Sequence, residues 1–204
     1  MDMSKLELLY DHFKDSYELS KRAQEQRNKY YIILCILESL SFLMLLNTSE
    51  AITFIHEIIN YKSEHPIQLG SSIIESLLWI LIMYISIRYC QNTIYVERQY
   101  KYIHKLEEKI ADELSIYSFN RESYNYLSYR PFVLKLIHFF YTWISPTIFI
   151  FINSVRIVLE TTTLKWNVYL FLDIFVYLIT TVLSITFVIF LNFKNEKTNK
   201  YFSP

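Results

Sequence analysis

Glycine occurs once in the 204 residues, at Gly70, and that scarcity excludes whole classes of chemistry. Loops that cradle phosphate, the G-x-G-x-x-G dinucleotide fingerprint, the G-x-S-x-G nucleophile elbow and glycine-based ion filters all need several glycines. Cysteine is nearly as rare. Cys35 and Cys90 lie far apart, each at an apolar run, which suits buried reduced thiols and gives no disulfide framework. Charge of one sign is also lacking: 20 Lys and Arg balance 20 Asp and Glu, so the chain as a whole has no electrostatic pull toward nucleic acid. Residues 1–29 are too polar for a secretory signal, whose apolar region would begin within the first few positions. Alanine is scarce while Ile, Lys, Asn, Tyr and Phe abound, the bias of an AT-rich coding sequence and a pointer to a bacterial source.

What the chain does have is apolar residues, 52% of the total with 18% aromatic, gathered into long runs. That places it among multi-pass membrane proteins. The stretch from Ser71 to Tyr117 organises the rest, because no proline or glycine interrupts it. Its first half, SSIIESLLWILIMYISIRYC, has the length that crosses a hydrocarbon core of roughly 30 Å. Its second half sets Val96, Tyr100, Ile103, Leu106, Ile110 and Leu114 on one stripe among Glu and Lys, an amphipathic helix.

The remaining elements follow in order. Ser4 and Glu7 form a capping-box signature, after which Leu6, Leu9, Phe13 and Tyr17 recur at helical spacing. Tyr30 to Asn47 reads as a first span continuous with that helix, its two tyrosines anchoring the interface. AITFIHEIINY is a short interfacial helix with Ile52, Ile55 and Ile59 toward the membrane; its HEIIN lacks the second histidine of a zinc site, Asn60 standing there instead. Glu75, three residues after Ser72, reads as part of a capping box at the start of the second span. Pro131 opens a third span reaching about Val158, with Pro146 as a kink, and Trp166 to Phe193 is the fourth.

The expected fold is therefore all-α: a four-span transmembrane bundle with an antiparallel cytoplasmic helical stalk. Its parts are an amphipathic helix at 1–29, a first hairpin at 30–92 with an outer loop at 48–70, a helix and connector at 93–130, a second hairpin at 131–193 and a tail at 194–204. Sixteen Lys and Arg fall in the first, middle and last polar segments, against Lys62, Arg156 and Lys165 in or beside the short loops. Positive residues stay inside, so both termini are expected in the cytoplasm of a bacterial inner membrane. The stalk contacts expected from the two stripes are Leu9 and Phe13 against Ile103, Leu106 and Ile110.

Polar groups inside spans mark function or helix-to-helix glue. Glu38 lies at mid-span with Ser41 one turn on, and His138 is at a similar depth on the third span. Lys135, His138, Thr142, Ser145 and Arg156 share heptad positions on that span, and Tyr169, Asp173, Tyr177, Thr180 and Ser184 share a face on the fourth. Such faces point inward, either closing as a hydrogen-bonded seam or lining a hydrated lumen built from several copies. Arg156 and Asp173 are at depths that allow an ion pair. No metal set or cofactor motif is present, and the partners expected are lipid, further copies of the chain and a cytoplasmic protein, with nucleic acid not bound directly.

Two resemblances rest on particular residues. Arg98 and His104, in RQYKYIH, resemble the R-x5-H motif of HEPN-type ribonucleases, which would imply RNA cleavage by a dimer with these two as catalytic residues. The architecture of residues 1–117, with SKRAQEQRNKYY leading into the first span, resembles the SLATT group of bacterial two-span proteins. That likeness implies a membrane effector in nucleotide-triggered or antiviral defence systems; the third and fourth spans extend beyond it. The favoured function is a non-enzymatic membrane effector or oligomeric pore. A scaffold or sensor anchoring a soluble enzyme, or a small transporter, are the alternatives.

Overall fold

The computed structural model describes residues 3–61, 70–114, 136, 139–163 and 166–199. Among them the chain is entirely helical, with five α-helices and no strand. These are α1 (Met3–Leu46), α2 (Thr48–Asn60), α3 (Ser71–Leu114), α4 (Ser145–Thr163) and α5 (Val168–Asn199), with a π-helical turn at Phe140–Ile144 leading into α4. Two of them, α3 and the Val168–Phe190 part of α5, are long and apolar enough to cross a membrane. Several residues singled out by sequence lie outside the described ones: Lys62, Pro131, Lys135, His138 and Lys165. The side chains of Ser4 and Thr142 lie outside them too.

Local chemistry explains the helix boundaries. No Pro or Gly interrupts α1, and it stops at Asn47, whose N–H still bonds Leu43 O while its own carbonyl accepts the first N–H of α2, from Ala51. α3 begins at Ser71, directly after Gly70, whose carbonyl accepts from Ile73 and Ile74. Ser72, expected as the cap of a capping box with Glu75, therefore lies already inside the helix. α5 is capped by Asn167, whose Oδ1 accepts from Leu170 N at 2.8 Å.

α4 runs past the end expected at Val158 to Thr163, and in its last turns Thr161 and Thr162 bond their hydroxyls back onto Val158 O and Leu159 O. A π-helical turn, Phe140–Ile144, lies just before Pro146, where a kink was expected.

The chain forms two compact units, one of Met1–Tyr30 with Arg88–Phe139 and one of Tyr31–Ile87 with Phe140–Pro204. In the first, the two helical segments are antiparallel. His12 hydrogen-bonds the Tyr102 hydroxyl, and Arg88 lies over the Tyr30 ring at 5.7 Å, so residue numbers rise on one segment as they fall on the other. Val96, Ile103, Leu106 and Ile110 are buried, while Tyr100 and Leu114 are half-buried. On the α1 side Leu9 and Phe13 are half-buried, and Tyr17 is exposed; the buried positions are Ser16, Ser20 and Ala23. Small residues at steps of four and three let a helix be approached closely.

Candidate functional site

Arg156 is the centre of the second unit. It is 1% exposed, and its planar fork of donors is shared out among three helices. Nε donates to Glu160 Oε1 at 2.6 Å, one turn along α4. Nη1 donates to Ser41 Oγ of α1 at 2.7 Å, and Nη2 to the Glu75 carbonyl of α3 at 3.2 Å. Its remaining face lies over the Trp79 ring, with Cζ 4.6 Å from the centroid, a cation–π contact. Trp79 is fully buried and donates its indole N–H to both oxygens of Glu160 at 3.1 Å, so the three groups close on one another.

Polar contacts continue along the bundle. Asn153 Nδ2 donates to Glu38 Oε1 at 2.7 Å and to Phe149 O at 2.9 Å. The hydroxyls of Tyr31 and Ser145 meet at 3.0 Å, and those of Ser154 and Tyr177 at 2.9 Å. Tyr177 also sets its ring edge against Trp79, beside a small apolar core of Trp79, Ile157 and Val176. The sequence separation from α1 to α4 is nearly constant: 114 for Tyr31 and Ser145, 115 for Glu38 and Asn153, and 115 for Ser41 and Arg156. α1 and α4 therefore run side by side in the same direction within this unit.

The interior is not fully satisfied. Glu38 Oε2, Asn153 Oδ1, Ser76 Oγ and Asp173 Oδ1 are buried with no hydrogen-bond partner among the described residues. Outside, the arrangement is the reverse of a water-soluble protein's. Ile32 and Ile36 of α1, Leu77 and Leu81 of α3, Phe151 and Val158 of α4, and Phe171, Phe175 and Val182 of α5 are exposed, while charged groups turn inward.

Sequence and structure agree on part of this set. Glu38, Ser145, Arg156, Asp173 and Thr180 are buried, and Tyr177 and Ser184 are half-buried. Tyr169 differs, being exposed, and Leu170 takes its inward place. The partner of Arg156 is Glu160, where Asp173 was expected, because an i, i+4 pair on one helix brings the two side chains together without a neighbour. Glu38 meets Asn153; its expected partner His138 lies outside the described residues. Trp79, Asn153 and Glu160 were not anticipated, although Glu160 four residues after Arg156 is a readable signal.

Arg98 and His104, the ribonuclease-like pair, both lie on α3. Six residues place Arg98 and His104 about 120° apart around the helix, Arg98 is exposed, and His104 Nε2 sits 3.4 Å from Glu108. Among the described residues no group of His, Cys, Asp or Glu converges as a metal site. The chain matches no protein-family model, no curated protein and no solved structure.

Proposed function

We propose that the protein is a multi-pass bacterial inner-membrane effector without catalytic chemistry, with four spans and both termini in the cytoplasm. A cytoplasmic partner engages the paired helices of the first unit, and the polar seam of the second unit opens in response, in one chain or a homo-oligomer, to let ions pass. The seam carries this reading. A closed interior that leaves four polar atoms unbonded among the described residues is costly, and admitting water would satisfy them. The shared direction of α1 and α4 supports the four-span arrangement, since first and third spans of an up-and-down bundle cross the bilayer the same way. The SLATT-like architecture of residues 1–117 extends the proposal to antiviral defence.

A voltage-sensitive dye in cells expressing the protein tests it, with abundance measured alongside. Wild type should depolarise the membrane when triggered, and Asp173→Asn should alter that response at equal abundance. Absence of depolarisation under every trigger leaves the second reading, an anchoring scaffold. One observation favours that reading: Arg156 is bonded on three sides and stacked on the fourth, as a locked seam would have it.

A further inference from the structure

Four helices of the second unit each turn a carboxylate toward its interior, and one guanidinium meets them. Glu38 comes from α1, Glu75 from α3, Glu160 from α4 and Asp173 from α5; all but the half-buried Glu75 are buried. Arg156 is the only buried Lys or Arg among the described residues. Its ion pair is with Glu160, which also takes the Trp79 N–H, so that carboxylate is compensated. Glu38 has one oxygen on Asn153 and one without a partner among the described residues. Asp173 is 2% exposed, and its Oδ1 has no hydrogen-bond partner among the described residues; Ser76 faces it from α3, near enough to favour its charge, with a hydroxyl that makes no well-formed hydrogen bond among them. Glu75 and Glu160 add their negative fields to its own, with Arg156 as the opposing charge. Cys35 and Tyr31 of α1 lie by Glu38, and Tyr177 is one turn along α5 from Asp173.

A buried negative excess of this size calls for positive charge that the described residues do not supply. We propose that Asp173 and Ser76, with Glu75 beside them, bind a small monovalent cation, either an alkali metal ion or a proton. A carboxylate and a hydroxyl are hard oxygen donors that suit such ions, whereas among the described residues no trio of His, Cys, Asp or Glu converges to hold a more demanding metal. Binding requires the closed seam but no conduction, so this inference stands or falls separately from the pore reading. Should the seam open, the same charge excess makes its lining select cations over anions.

Trp79 offers a direct reporter through Glu160. The full chain, purified into lipid nanodiscs with Trp143→Phe and Trp166→Phe, is titrated with sodium or potassium chloride against choline chloride at fixed ionic strength, at acidic and at alkaline pH. An alkali ion site gives a saturable change in Trp79 emission with one alkali chloride, weaker in acid where protons compete. A proton site gives a change with pH in choline alone. Asp173→Asn should abolish either response. Ser76→Ala, which keeps the carboxylate and serves if Asp173→Asn does not fold, should weaken an alkali ion midpoint roughly tenfold or displace a proton midpoint. Folded wild type indifferent to alkali ions and to pH, or Asp173→Asn and Ser76→Ala both responding like wild type, overturns the proposal.

Discussion

Asn153 donates to Glu38 at 2.7 Å across 115 residues of sequence, joining α4 to α1 inside the second unit. Asn153→Leu removes the described partner of a carboxylate that is 3% exposed, so the variant should lose about 2 kcal/mol of stability. Glu38→Gln in the same chain should recover part of that loss, because a neutral amide is cheaper to leave half-bonded than a charge. Thermal unfolding in detergent of the two single variants and the double variant measures the coupling.

The Arg156 and Glu160 pair should behave as a unit. Arg156→Met alone strands Glu160 and should cost about 3–5 kcal/mol. Arg156→Met with Glu160→Met should restore most of it. Asp173→Asn should not rescue Arg156→Met to the same degree, since Asp173 does not hold the guanidinium. Equal rescue by both would show that Arg156 divides its charge between the two carboxylates.

Leu106 is buried in the first unit, and Leu106→Asp puts a charge where apolar contact was, at a cost of about 3 kcal/mol or more. Limited proteolysis should then cut within 3–30 and 93–114 faster than in wild type, while Lys105→Asp, at an exposed neighbour, should not change the pattern. Equal resistance of the Leu106 variant would mean that the two segments do not depend on each other.

Orientation is accessible to labelling. In a background with Cys35→Ser and Cys90→Ala, cysteines are placed at Glu57 on α2 and at Lys105 on α3, both exposed. An impermeant maleimide on intact cells should label the first and spare the second. The opposite pattern would reverse the topology inferred from Lys and Arg.

How much was legible depended on how loudly each residue speaks in a hydrophobic pattern. The α3 stripe of Val96, Ile103, Leu106 and Ile110 was visible because branched apolar residues recur on one face of a charged helix. Its counterpart on α1 was legible only to Phe13; beyond it the buried face passes to Ser16, Ser20 and Ala23, which carry almost no hydrophobic signal. Within the second unit, Glu38, Arg156 and Asp173 stood out as charges in apolar runs. Asn153 and Trp79 did not, since an uncharged amide and an indole attract little notice there, and their importance comes from distant partners. On α5 a step of four from Tyr169 to Asp173 suggested the wrong start, whereas Leu170, Asp173, Tyr177, Thr180, Ser184 and Phe187 follow steps of three and four that keep one face inward.

The separation between Glu38 and Asn153 also sets a clock. At a synthesis rate of about 5–20 residues per second, Asn153 is made roughly 6 to 23 s after Glu38. For that interval the first half of the chain has no α4, and the carboxylate, the Ser41 hydroxyl and the Trp79 indole lack the partners they will later hold. The nascent α1 and α3 must wait with that polar face unpaired. A ribosome that stalls beyond α3 would leave behind a product carrying that same unquenched face.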